Sequence, residues 1–144
     1  MIIMPSPPAW IKNRITIFPN KEKRIAVLLA AYNGRPWIQK QVDSILSQQN
    51  ANITLFVSVD KSTDGTEKWF DQLAENDSRV LVLPHGQKFG GAAPNFFRLI
   101  RDVDFGDFDF VSFADQDDIW LPEKMEKQLA VMADENVIMT FTNL

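Results

Sequence analysis

The sequence contains no cysteine, which excludes a disulfide framework and any thiolate metal or catalytic site. Its single histidine, His85, cannot build a multi-histidine metal centre. No apolar run approaches the roughly 20 residues that a membrane-spanning helix needs. The apolar Met1 to Met4 segment is followed at once by Pro5, Pro7 and Pro8, so it lacks the apolar core of a secretory signal. A basic excess is also absent: 15 Lys and Arg stand against 19 Asp and Glu, a net charge of −4 that argues against nucleic-acid binding through the overall field. These absences lead us to expect a cytoplasmic protein, with peripheral attachment to the inner face of the membrane left open. Two nucleotide signatures are missing as well. No glycine loop ends in Lys-Ser/Thr, and no GxGxxG follows the first expected strand, which removes the main support for P-loop and dinucleotide-binding readings.

What is present is a strand and helix rhythm in 144 residues, 45% of them hydrophobic, enough for one domain with a real core. Residues 1–24 form a proline-bearing leader, with a short edge strand expected at Ile15–Phe18, and residues 25–144 form the domain. Ile25–Ala31 reads as a buried strand, Tyr32-Asn33-Gly34 as a turn, and Pro36 as the first position of a helix that buries Ile38, Val42, Ile45 and Leu46. A second strand, Ile53–Val59, ends in Asp60. The turn after it gives Asp64 and Glu67 capping-box spacing before a helix marked by Trp69, Phe70 and Leu73. Val80–Leu83 is the third strand, His85–Gly91 a glycine-bearing loop, and Phe96, Leu99, Ile100 and Val103 the apolar face of the next helix. Phe110, Val111 and Phe113 read as a fourth strand buried on both faces. Pro122 starts a helix facing inward through Met125, Leu129 and Met132, and Val137–Thr142 is the fifth expected strand. Alternation of this kind predicts a three-layer α/β/α domain with a mostly parallel sheet. Ligands of such sheets bind beyond the carboxyl ends of the strands. That rule brings Tyr32, Asn33, Asp60, Asp64, Lys88 and Asp115 to Asp118 to one edge.

Seven aspartates fall between Asp102 and Asp118, and Asp115, Asp117 and Asp118 crowd into four positions at a strand end. Like charges so close raise one another's pKa values unless a cation is supplied. Mg2+ or Mn2+ meets that need, using one or two carboxylates and leaving other positions to water and phosphate oxygens. The alternative is a solvated acidic loop that caps the next helix. Asp60 is placed to accept hydrogen bonds from a base or ribose, or else to serve its own turn. Tyr32 and Asn33 offer an aromatic edge and backbone groups to a planar base, and Lys88 offers a mobile point charge to a phosphate or to solvent. Asp64 is expected to cap its helix, His85 to be a loop residue in preference to a base or ligand, and Trp120 to anchor the last helix in preference to packing on a sugar. A phosphatase would carry its DxD nucleophile after the first strand, whereas this motif follows the fourth.

The segments AAYNGRPWIQKQVDSILSQ, VSVDKSTDGT and FADQDDIWLPEKMEKQ, in that order, resemble the family 2 glycosyltransferases of the GT-A fold, across about Arg24 to Leu144. The last segment is similar to bacterial enzymes that build surface polysaccharides, rhamnosyltransferases among them. The resemblance implies a UDP-, dTDP- or GDP-sugar donor, a saccharide or lipid-linked acceptor, Mg2+ or Mn2+, and an inverting displacement. It implies that Ala31, Tyr32 and Asn33 line the nucleotide pocket and that Asp60 contacts the base. In its DXD motif, Asp115 faces the ribose or the metal, Asp117 binds the metal, and Asp118 supports them. Where relatives carry an Arg-Asn pair this chain has Pro94-Asn95, so no arginine role passes to Arg98. Family members continue into a segment that supplies the acceptor site and a carboxylate base, and no residue here matches that base. The expectation is therefore the donor-binding portion of such an enzyme. A noncatalytic nucleotide- or metal-binding module, or an assembly module, is the alternative, with homo-oligomerisation left open.

Overall fold

The computed structural model describes residues 22–133 and 138–140. Its elements run β1 (Arg24–Ala31), α1 (Ile38–Leu46), β2 (Asn52–Val59), α2 (Thr66–Asn76), β3 (Val80–Val82), α3 (Ala92–Asp102), β4 (Phe110–Ala114) and α4 (Lys124–Met132). The strand expected at Ile15–Phe18 lies outside the described residues. So do Val137, Phe141 and Thr142 of the expected fifth strand, and Ile138 to Thr140 are not in a strand.

The apolar run RIAVLLAA forms β1, buried along all but its first residue. It is paired on both edges. β2 runs parallel to it from Arg24 opposite Asn52 to Ala31 opposite Val59, and β4 runs parallel on the other side from Ile25 opposite Phe110 to Leu29 opposite Ala114. β3 continues the sheet beyond β2, giving the order β3-β2-β1-β4. Alternate side chains then serve opposite layers. Ile25, Val27, Leu29 and Ala31 pack with Ile38, Val42 and Ile45 of α1, Phe70 of α2, and Trp120 and Met125. Leu28 and Ala30 pack with Leu99 and Val103 on the face covered by α3. The expected three-layer parallel architecture is thus present. Parallel crossovers are right-handed, so the step from β3 back across to β4 puts α3 on the face opposite α1 and α2. The strand order reverses between β1 and β4, and the crevice of the fold opens there.

Four local expectations need correction. The fourth strand is not buried on both faces: among the described residues β4 is an edge strand, with Val111 43% and Phe113 53% exposed. Phe113 instead sets its ring edge-on against Phe96 of α3, centroids 5.7 Å apart. An apolar run reports what a strand can bury, not which position in the sheet it takes. Ile100 likewise has helical spacing but is 46% exposed, because Leu99 and Val103 point at the sheet and Ile100 falls beside them. The capping box is rearranged. Asp64 Oδ1 accepts from the Thr66 N–H (3.0 Å), but Glu67 Oε1 reaches Ser62 N (2.7 Å), since Gly65 at φ 90° turns the chain before α2 begins. Finally, α1 and α4 start after Pro36 and Pro122, not on them. Gly34 carbonyl accepts from Trp37 and Ile38 N–H groups at the entry to α1. Gln48 receives the Met125 N–H of α4 on Oε1 (2.9 Å) and donates from Nε2 to the Leu121 carbonyl (2.8 Å).

Phe70 is fully buried between α2 and the sheet. Phe70→Ala should cost about 3–5 kcal/mol in urea unfolding monitored by circular dichroism. Phe97→Ala, at a side chain 68% exposed, should change stability by no more than about 0.5 kcal/mol.

Candidate functional site at the switch point

A cavity of about 540 Å³ opens beyond the carboxyl ends of the strands. Ala30 and Ala31 line it from β1, Tyr32 and Asp60 from the residues directly after β1 and β2, and Asp115, Gln116 and Asp117 from the loop after β4. Lys88, Gly90 and Gly91 close it from the β3–α3 connection, and Ala92 and Asn95 from α3. Of the sequence-derived candidates, Ala31, Tyr32, Asp60, Lys88, Asp115 and Asp117 therefore meet in one pocket. Asn33 does not line it. Its backbone has φ 44°, its N–H donates to Ser62 Oγ (3.0 Å), and its Oδ1 accepts from Thr63 N (2.8 Å). It ties the β1 loop to the β2 loop. Asp64 does similar work, accepting from Arg35 N on Oδ2 (2.9 Å) while capping α2. His85 sits against Asp71 (2.9 Å), and Trp120 is buried as the expected anchor, with its N–H donating to Ser44 Oγ (2.9 Å).

Asp60 is 4% exposed, and its carboxylate holds the wall of the pocket together. Oδ1 accepts from Lys61 N and Phe89 N, both at 2.8 Å, and Oδ2 accepts from Gly90 N at 2.9 Å. Hydrogen bonds to an ionised carboxylate are about twice as strong as neutral ones, so this side chain fixes residues 89 and 90 to the end of β2. Beneath it, Asn95 Nδ2 donates to the Ser58 carbonyl (3.0 Å) and to the Ala31 carbonyl (3.4 Å), and Ser58 Oγ donates to Asn95 Oδ1. Arg98, also buried, donates to Ser58 Oγ (3.1 Å) and to the Pro84 carbonyl, with its guanidinium 5.0 Å from the Phe89 ring centre. It braces the floor and does not line the pocket.

Sequence reasoning missed Ala30, Gly90, Gly91, Ala92, Asn95 and Gln116 as pocket residues. A signal for part of this wall was available in the glycine pair directly ahead of an amphipathic helix. Gly91 is the N-cap of α3, the first turn has no acidic residue, and no side chain caps it. The first N–H groups of a helix lack partners within it and carry its positive end, and here they adjoin the pocket.

Residues 26–143 match the family model described as Glycosyl transferase family 2. The chain belongs to that family. A dTDP-rhamnosyl transferase of Shigella flexneri, RfbG, is 39% identical over 109 residues, covering 75% of this chain and 38% of the relative. A putative teichuronic acid biosynthesis glycosyltransferase of Bacillus subtilis, TuaG, is 31% identical and covers 85% of this chain and 47% of the relative. The chain thus spans less than half the length of either relative. Among solved structures, a mannosyltransferase from Pyrobaculum calidifontis, determined with GDP-Man and Mn2+, superposes with a TM-score of 0.69 at 22% identity, over 89% of this chain and 39% of that one. S. aureus TarS 1-349 in complex with UDP-GlcNAc gives 0.62 at 23% identity, over 77% and 31% of the two chains. At these identities the likeness concerns the fold, and the fold is the expected GT-A arrangement.

The acidic end of β4 in this family 2 domain carries the repulsion its sequence implies. Partial burial, then the charges of Asp118 and Asp117, push the Asp115 carboxyl above the usual carboxylate range. Lys124, 4.2 Å from the Trp120 ring centre, is held below the ordinary lysine range by burial, with Asp118 acting against that shift. Among the described residues no three acidic or histidine side chains converge as a closed metal cage. Asp115 and Asp117 stand together on the β4 side of the pocket, across from Asp60.

Two outcomes follow from these contacts. Charged hydrogen bonds contribute about 1.5–3 kcal/mol, so Asp60→Ala should speed amide exchange at Phe89 and Gly90 by roughly tenfold or more in native-state NMR. An acid whose pKa is raised on folding favours the native state when protonated and costs stability when ionised. Asp115→Asn should therefore raise the thermal midpoint of the ligand-free protein at neutral pH. The advantage should shrink as pH falls through the raised Asp115 pKa and close below the ordinary aspartate value.

Proposed function

We propose that this chain is the donor-binding part, about residues 25–144, of a metal-assisted glycosyltransferase in bacterial cell-surface polysaccharide synthesis. The observation that carries the reading is the convergence of Asp60, Lys88, the uncapped start of α3, and Asp115 with Asp117 on one cavity at the switch point. The substrate is a nucleotide sugar. Tyr32 and Ala31 bound the base and ribose side, and Asp60, with three N–H groups already on its carboxylate, has lone-pair capacity left for a donor on the base. Lys88 and the α3 N-terminus suit the diphosphate. Asp115 and Asp117 suit Mg2+ or Mn2+, ions that take one or two carboxylates and complete their shell with water and phosphate oxygens. When bound, such an ion neutralises charge on the departing nucleoside diphosphate.

Family membership and the RfbG and TuaG relatives support a transferase. In this reading its acceptor is a saccharide or lipid-linked molecule, met at a cytoplasmic site. No described helix is long and apolar enough to cross a membrane. The matched carboxylates all belong to the donor side, so the acceptor-activating base of an inverting displacement is assigned to none of them. A second reading, an assembly module, is favoured only by the exposed Val111 and Phe113 on β4. Sedimentation as a monomer at high concentration would remove it.

Titration calorimetry of the chain with UDP, dTDP and GDP, each with and without Mn2+, tests the main reading. We expect metal-dependent binding of at least one of them, weakened about 10- to 100-fold by Asp117→Ala. A folded protein that binds none of the three in a metal-dependent way would overturn it.

A further inference from the structure

The ladder between β1 and β4 ends at Leu29 and Ala114, while β1 runs on to Ala31, so the two chains part at the mouth of the pocket. One side chain bridges that gap. Gln116 Oε1 accepts from the Tyr32 N–H (2.8 Å), and Gln116 Nε2 donates to the Tyr32 carbonyl (3.0 Å). A carboxamide offers an acceptor and a donor in one plane, and it meets both main-chain groups of one residue as a neighbouring strand would. Gly34 makes room for it. A Cβ at that position would lie 2.6 Å from Gln116 Oε1 and 3.2 Å from its Cδ, and the amide cannot retreat without breaking the bonds that hold it.

Residue 116 lies between Asp115 and Asp117, the two acids that the β4 loop brings to the pocket. Among the described residues no hydrogen bond or ion pair holds the side chain of Asp115 or Asp117. The next tie along the chain is Trp120 N to Ser44 Oγ (2.9 Å). Mutual repulsion would spread this loop, and the Gln116 amide opposes it. We infer that Gln116 is a positioning residue that latches the acidic loop to the β1 loop, setting Asp115 and Asp117 against the nucleotide wall, with Gly34 as the space it requires. This rests on the donor-site reading above.

The test uses the full chain as wild type, Gln116→Ala, Gln116→Glu, Gly34→Ala and the double variant Gly34→Ala/Gln116→Ala. Gln116→Glu keeps an acceptor for the Tyr32 N–H but sets a carboxylate against the Tyr32 carbonyl. Each protein is measured for thermal midpoint, for Tyr32 amide exchange, and for calorimetric affinity toward UDP, dTDP and GDP with Mn2+. We expect each single variant to weaken metal-dependent nucleotide binding by roughly tenfold while remaining folded, and Gln116→Ala and Gly34→Ala to lose Tyr32 protection as well. Gly34→Ala should add little in the Gln116→Ala background, because the collision with the amide is gone and only the Ile38 Cδ1 contact at 3.3 Å remains. If wild type binds and Gln116→Ala binds equally well, the latch is overturned and the donor reading stands. Additive losses in the double variant, or affinity that falls only in step with the thermal midpoint, also overturn it. If wild type binds no nucleoside diphosphate, the donor reading itself falls, and the positioning role with it.

Discussion

The structure depends on one strand being enclosed from every side. β1 has helices over both faces and a parallel neighbour along each edge, which only an apolar chain with all its backbone groups paired can tolerate. From that enclosure the rest follows by handedness. Two right-handed crossovers carry the chain away through β2 and β3, and the return must cross to the other side of β1 under a helix on the opposite face. The reversal leaves two loops diverging from adjacent strand ends. A cavity between them is a geometric result, needing no side chain to carve it.

Polar side chains buried near the strand ends convert that gap into a shaped site. Burying Asp60, Ser58, Asn95 and Arg98 would be costly without partners, and each is bonded. Their partners are mainly main-chain groups at the end of β1 and β2 and in the 84–90 connection, where regular ladders no longer satisfy the backbone. The buried polar groups therefore act on loops, and fixing a loop to a strand end is what holds the pocket wall in place. The walls also differ in polarity. The start of α3 and Lys88 lie on one, while Asp115 and Asp117 lie on the other, with the Asp115 carboxyl already perturbed by its neighbours.

The sequence by itself determined the alternation of elements, the parallel three-layer class, and the edge on which Ala31, Tyr32, Asp60, Lys88, Asp115 and Asp117 gather. Those properties are local: periodicity assigns each segment, and a parallel sheet sends every strand end the same way. Tertiary structure decided which strand lies at the edge, leaving Val111 and Phe113 exposed, and which of two adjacent residues faces the pocket, turning Tyr32 toward it and Asn33 away. It also decided that Glu67 serves Ser62, that Asp60 clamps Phe89 and Gly90, and that Gln116 pairs with the backbone of Tyr32, 84 positions away. A hydrogen bond between loops requires a match of distance and angle within a few tenths of an ångström. Residue spacing along the chain carries no such information until the sheet brings the loops together.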